Sequence, residues 1–305
     1  MAGIIYSDYY LPEGKAAVSD FVDPEICSAF TKQYKLEFVY LEKTRTPIDI
    51  LNGLIGDFFS KSDIAPDEIT HLIYASSTNL MQDEACVPFY LQHQHKMTSS
   101  AVHVLLHSCN SAMQALQVAD SLVDTGKAGK VMILTLSYGT PKENRFISTS
   151  VIGDGAGIFV VGKEDVQTGI IDFMSFSDGR YSVDKHAGQE HKRDSLGVIR
   201  DGAALVQNLL KKHDVDIKDI KMIVPQNLNF LGFFAQARLL GVNLDKIFTA
   251  NISKGGHLID VDTVRNYADF RNNTANLEKG DKFILYATSM VNGFNITYDA
   301  MLMSI

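Results

Sequence analysis

Apolar positions along the chain follow two alternating rhythms. His71-Leu72-Ile73-Tyr74-Ala75-Ser76, Val102-His103-Val104-Leu105-Leu106, Lys130 to Leu136 and Ala156 to Val161 are short apolar runs bounded by turn residues, which predicts buried strands. Between and before them, Ile48 to Phe59, Pro88 to His95 and Ala112 to Leu122 place their apolar residues at helical spacing. The turn Gly153-Asp154-Gly155 leads into the last of these strands. The resulting βαβαβ order predicts an α/β fold with a largely parallel or mixed sheet covered by helices.

A second round begins near Gly169. Ile170 to Ser175 reads as a strand, Gly202 to His213 as a helix, Ile220 to Val224 as a strand ending in Pro225, and Phe230 to Leu240 as a helix. A short strand at Ile247 to Asn251, a helix at Thr263 to Asn272 and a closing strand pair, Phe283 to Thr288 and Gly293 to Met303, complete it. Two similar halves are therefore expected, residues 1–163 and 164–305. No fixed repeat period is visible, so no solenoid is expected. The polar stretch Ser177 to Asp194 reads as an insertion or lid.

With 305 residues and 46% hydrophobic content, the chain can bury a large core. No stretch reaches the roughly 18 to 20 apolar residues that span a bilayer, and Met1 to Tyr10 lacks a basic segment followed by an apolar one. The three cysteines, Cys27, Cys86 and Cys109, form no Cys-x-x-Cys pair, so neither a disulfide framework nor a thiolate zinc site is expected and a reducing, cytoplasmic setting fits. A net charge of −8 argues against a nucleic-acid partner. Lys185, His186, His191, Lys192 and Arg193 share one polar segment, either a solvated loop or a patch for an anionic cofactor or acidic carrier protein. His93, His95, His103 and His107 lack the further ligands that a metal site needs, so no metal is expected.

Cys109 carries the chemistry. It follows a strand run and opens a helical pattern, so its thiol sits at a strand-to-helix turn, where free N–H groups and the helix macrodipole favour the attacking thiolate. A sulfur so placed can accept an acyl group from a thioester.

Ser108-Cys109-Asn110-Ser111-Ala112, with Ala115 to Leu122 and Gly126-Lys127-Ala128, resembles the nucleophile region of β-ketoacyl-acyl-carrier-protein synthase III. Gly153-Asp154-Gly155-Ala156-Gly157 is similar to that family's glycine-rich turn, and Val224-Pro225-Gln226, Asn251-Ile252-Ser253 and Gly280-Asp281-Lys282 extend the likeness toward the C-terminus. The resemblance implies the thiolase fold, with two related βαβαβ-type halves in a five-layered αβαβα arrangement. It also implies a homodimer, in which Asn79 to Cys86 lies where such dimers meet. No permanently bound cofactor is implied; the substrate is a phosphopantetheine thioester of an acyl carrier protein or coenzyme A. The missing tryptophan and an unmatched N-terminal adenine site favour the carrier protein.

Two positions depart from the family. Decarboxylating synthases of this kind use a histidine after the Val-Pro strand end and an asparagine in a later loop, whereas this chain carries Gln226 and His257. An amide cannot exchange a proton near neutral pH, so it replaces imidazole poorly. The run Gly255-Gly256-His257-Leu258-Ile259-Asp260-Val261-Asp262 instead supplies one imidazole and two carboxylates. It resembles the acyl-transferring branch of the family, in which a histidine and an acid five residues later join the cysteine. That likeness favours Asp262 over Asp260 as the group that orients His257.

The oxyanion donors expected are the Cys109 amide and Gly293; Gln226 and Asn227 either add a side-chain donor or cap the following helix. The expected activity is transfer of an acyl group from a carrier-protein or coenzyme A thioester, through a Cys109 thioester, to an alcohol or amine of a small-molecule acceptor in specialised biosynthesis. The alternatives are a condensing enzyme forming a carbon–carbon bond and a catalytically silent partner subunit of a heterodimer.

Overall fold

The computed structural model describes residues 1–34, 36–78, 86–147, 149–179, 195–228, 230–291 and 295–305. Strands β1 (Gly3–Tyr10), β4 (Ile69–Ala75), β5 (Ala101–Leu105), β6 (Lys130–Ser137) and β7 (Gly155–Gly162) occupy one end of a nine-stranded sheet. Strands β8 (Thr168–Asp178), β9 (Ile220–Pro225), β10 (Lys282–Val291) and β11 (Asn295–Ser304) occupy the other, and the order is β5-β4-β6-β7-β1-β8-β11-β10-β9. The small strands β2 (Lys15–Ala17) and β3 (Phe38–Tyr40) pair apart from it. The ends of the main sheet are alike: β4 runs parallel to β5 and β6, β9 runs parallel to β10, and the strands toward the middle are antiparallel. They meet through two residue pairs, Gly3 with Gly169 and Ile4 with Thr168.

Helices α1 (Pro24–Tyr34), α2 (Pro47–Lys61), α3 (Val87–Gln94), α4 (Ser111–Asp124), α5 (Ser195–Lys212), α6 (Phe230–Leu240) and α7 (Val261–Asn273) accompany these strands. A central core joins Met113, Leu116 and Val123 of α4 and Val264, Tyr267 and Phe270 of α7 to both halves of the sheet. A second core packs Leu51, Leu54, Phe58 and Leu91 of α2 and α3 on the outer face of the first half. A third packs Val206, Leu209, Phe233 and Leu240 of α5 and α6 on the outer face of the second half. This covering of both sheet faces by helices is the α/β arrangement that the sequence predicts. It explains why β7 is buried along its whole length and reads as one apolar run, since helices cover both faces.

Local rules place the helices. Thr46 caps α2 by accepting from the Asp49 N–H at 3.2 Å, the Asp49 carboxylate accepts from the Thr46 N–H at 3.1 Å, and Pro47 fills the first turn. Ile50, Leu51, Leu54, Ile55 and Phe58 then form its buried stripe, each contributing about 1.5–3 kcal/mol. Gly157 is required where α7 crosses β7, because a Cβ there would lie 2.8 Å from both Thr135 Oγ1 and the Val264 side chain.

Two sequence expectations differ from the fold. Gly3–Tyr10 is a central strand although it reads as no element, because its two isoleucines are followed by the half-buried Tyr6, Ser7, Asp8 and Tyr9, which break the apolar run. Ile247 to Asn251 forms no strand: a tight turn at Leu244–Lys246 precedes it, and only Ile247 bridges to Ile223. Asn251 instead spends its side chain on Asn266 and Asp269. Of the expected lid at Ser177 to Asp194, residues 180–194 lie outside the described residues, and with them Lys185, His186, His191, Lys192 and Arg193.

Candidate active site

Cys109 lies in a single tight turn, Ser108–Asn110, between β5 and α4. Ser108 adopts a left-handed φ of 50°, which throws the next side chain away from the strand. The strained turn is braced: the Ser111 hydroxyl donates to the Ser108 carbonyl at 2.8 Å and accepts from the His107 N–H at 2.9 Å. Asn110, fully buried, donates to Asp299 Oδ2 at 2.8 Å and to the Thr297 carbonyl at 3.2 Å, which fastens the turn to β11.

His257 arrives from the other half of the molecule. Its loop turns through Gly255 and Gly256, with φ of 108° and 76°, and a Cβ at Gly256 would strike the Val151 carbonyl. That close approach lets the His257 N–H donate to the Val151 carbonyl at 3.0 Å and the His257 carbonyl accept from the Gly153 N–H at 2.9 Å. The two glycine-bearing segments singled out in the sequence therefore lock together. Buried Arg145 holds Asp154 beside them at 3.0 Å.

The imidazole bridges sulfur and carboxylate. His257 Nε2 lies 3.3 Å from Cys109 Sγ, and His257 Nδ1 lies 2.5 Å from Asp262 Oδ2. Asp262, in the first turn of α7 and wholly buried, also accepts from the Asn227 N–H at 2.8 Å, the Asn227 side-chain amide at 2.9 Å and the Leu258 N–H at 3.0 Å. With so many donors on it the carboxylate is an acceptor, so Nδ1 carries the proton and Nε2 faces the thiol. Burial works against a charged imidazole here, but the charges of Asp262 and Cys109 and their hydrogen bonds outweigh it and push His257 up to about 10.

Asp260 takes no part in this contact. Its Oδ1 accepts from the Ser77 hydroxyl at 3.3 Å and the Ser77 N–H at 3.5 Å, and burial pushes it up to about 8. Of the two acids, Asp262, the one the sequence favours, is the neighbour of His257. Gln226 is also placed differently from a free donor. Its amide donates to the Cys109 carbonyl and its carbonyl accepts from the Thr288 N–H at 3.2 Å, so both ends are occupied. Gly293 lies outside the described residues, as do Asn79 to Ala85.

Sequence reasoning missed the support behind Asp262. Asn227 is held by the Asn266 amide at 2.9 Å, which in turn accepts from Asn251 at 2.9 Å, giving a buried polar chain that ends on Asp262. Its traces in the sequence were the Asn251-Ile252-Ser253 match and Asn227, read there as a side-chain donor or a helix cap. Among the described residues no cluster of three or more His, Cys, Asp or Glu could hold a metal, and His95 and His107 are spent on Asn52 and Thr297.

Cys109 and His257 open onto a cavity of about 600 Å³. Its walls are mainly apolar, from Ile147, Ile152, Val198, Leu228, Phe233 and Met290, with Gln236, Tyr286 and Thr288 as polar members.

Residues 105–179 match the family 3-oxoacyl-[acyl-carrier-protein (ACP)] synthase III. The chain is 26% identical over 209 residues to the β-ketoacyl-[acyl-carrier-protein] synthase III of Aquifex aeolicus, covering 65% of this chain and 66% of that protein. The synthase III of Rubrobacter xylanophilus is 25% identical over 207 residues, covering 64% and 63%. The chain thus spans just under two thirds of the length of these relatives. Among solved structures, synthase III from Aquifex aeolicus superposes with a TM-score of 0.79 at 20% identity, over 100% of both chains. The acyltransferase ChlB3 does so at 0.81 and 17%, over 98% of this chain and 97% of its own. OleA of Xanthomonas campestris reaches 0.76 at 11%, over 99% and 98%. Residues 105–179 thus resemble synthase III, and the chain as a whole has the fold of these solved structures, the thiolase fold.

Proposed function

We propose that the protein is an acyltransferase that carries its acyl group on Cys109. The observation that supports this most is the line of Cys109, His257 and Asp262, with 3.3 Å between sulfur and imidazole. The Cys109 thiolate attacks the carbonyl of a phosphopantetheine thioester, on a carrier protein or coenzyme A. The tetrahedral intermediate collapses to acyl-Cys109, and the departing thiol takes the proton held at His257 Nε2. In the second half an alcohol or amine gives its proton to Nε2 as it attacks the acyl carbonyl, and the Cys109 thiolate leaves. Asp262 keeps the imidazole oriented throughout. The amides of Cys109 and Gly293 are the proposed oxyanion donors. No permanently bound cofactor enters this scheme, and a homodimer is its assembly.

Gln226 supports transfer over condensation, because an amide held between the Cys109 carbonyl and the Thr288 N–H exchanges no proton near neutral pH and replaces an imidazole poorly. The names of the curated relatives favour the second reading, a condensing synthase. Intact-mass measurement after incubation with acyl thioesters tests the proposal: one acyl group should appear on the protein and be absent from Cys109→Ala. Equal acylation of the two proteins would refute it, and carbon dioxide release with a β-keto product would establish the second reading.

A further inference from the structure

The cavity has a polar group that the proposed chemistry does not use. Gln236, on the inward face of α6, is 3% exposed and lines the cavity with Phe233 and Tyr286. Gln236 Nε2 is buried without a hydrogen-bond partner, although the Tyr286 phenol, which accepts from the Thr288 hydroxyl at 2.8 Å, lines the same cavity. The arrangement is built: Tyr286 and Thr288 alternate on one face of β10, and Gly202 of α5 leaves the space the phenol occupies, since a Cβ there would strike the hydroxyl. Phe233, Gln236 and Tyr286 are the buried floor, whereas Ile147, Thr149, Val198 and Leu228 are half-exposed and form the rim.

We infer that the acyl group accepted at Cys109 bears a hydrogen-bonding oxygen, a hydroxyl or a ketone, away from its thioester, and that Gln236 selects for it. The inference rests on the reading that Cys109 carries the acyl group. A phosphopantetheine arm enters by the half-exposed rim, so the buried floor is left for the far end of the acyl chain. A plain alkyl chain would strip solvent from the open amide and return nothing, and an open buried amide is costly; an oxygen at that depth satisfies it.

The test uses straight-chain acyl thioesters of N-acetylcysteamine, matched in length, with a methylene, hydroxyl or ketone placed at successive positions, and reads the rate of Cys109 loading by intact mass. At one position the oxygenated donors should load about tenfold faster than the plain chain. In Gln236→Leu and Gln236→Met the preference should vanish while the plain chain loads at least as fast as in the parent. Equal loading of all donors by the parent would overturn the inference and leave the acyl-enzyme intact. Slowing of every donor by one factor in both variants would also overturn it, assigning Gln236 to the part of the donor that all share. Failure of any donor to load Cys109 would overturn the underlying reading together with the inference.

Discussion

Gln226 grips the main chain of Cys109: its amide donates to the Cys109 carbonyl while its own carbonyl accepts from the Thr288 N–H on β10. Gln226 thus acts on the backbone beneath the sulfur. Cys109 and Thr288 are both half-buried.

Gln226→Leu should therefore lower stability by about 1–3 kcal/mol for each backbone group left unpaired and slow acyl loading, both checked by denaturant unfolding and intact mass. Gln226→His should not gain condensing activity, because an imidazole at that site still faces the Cys109 carbonyl. Release of carbon dioxide from a malonyl thioester by that variant would show that the position can reach substrate.

Asp262→Asn and Asp260→Asn should part sharply in activity. The first removes the acid that fixes the His257 tautomer and places an amide against two N–H donors from Asn227 and one from Leu258. A loss of about a thousandfold or more in kcat is expected, as for tautomer-fixing acids elsewhere. Asp260 touches only Ser77 within the described network, so its variant should keep activity within about threefold. Steady-state assays of both decide it, and a large loss in Asp260→Asn would reassign the orienting acid.

The stability of these variants relative to the parent should also depend on pH, each over its own range. His257 is raised from 6.5 to about 10, so the stability its charged form contributes is whole below about pH 6.5 and lost as pH rises toward 10. The parent's advantage over Asp262→Asn should then shrink across that window. Asp260 is raised from 3.8 to about 8, which makes the folded state bind the extra proton and lose stability as pH climbs from about 4 to 8. Asp260→Asn should remove that loss and gain on the parent over the same range. Urea unfolding at several pH values reads both trends.

The fold and the sulfur were legible because their signals are local. Apolar runs such as Ala156 to Val161 and a helix opening directly after Ser108-Cys109-Asn110 need only neighbouring residues to be read. His257 and Asp262 stood out because five residues place one on a glycine loop and the other in the next helical turn. What escaped depends on residues far apart in sequence. Asn227 meets Asp262 across 35 positions, Gln226 meets Cys109 across 117, and the floor formed by Gln236 and Tyr286 exists only once α6 lies over β10. Strand β1 escaped for a different reason: its place between β7 and β8 is set by the sheet, not by its own mixed sequence.

Gly256 offers a test of whether the loop geometry, and not just the residues on it, sets the chemistry. Its φ is 76°, and an added Cβ would strike the Val151 carbonyl and come within 2.9 Å of the Val39 side chain. Gly126 has a nearly equal φ of 73° with open space around it, so it supplies the control. Gly126→Ala should cost only the left-handed backbone penalty, about 1–2 kcal/mol, with normal acyl loading. Gly256→Ala should cost about 1–3 kcal/mol beyond that, because backbone must move to admit the methyl group. The movement falls on the bond from the His257 N–H to Val151, so the imidazole shifts from the sulfur, and a displacement of about 1 Å is enough to lower turnover on the order of a hundredfold. If Gly256→Ala loses no more activity than Gly126→Ala, the clasp between the His257 loop and Val151 is structural only, and the approach of His257 to Cys109 is fixed by Asp262 and Asn227 instead.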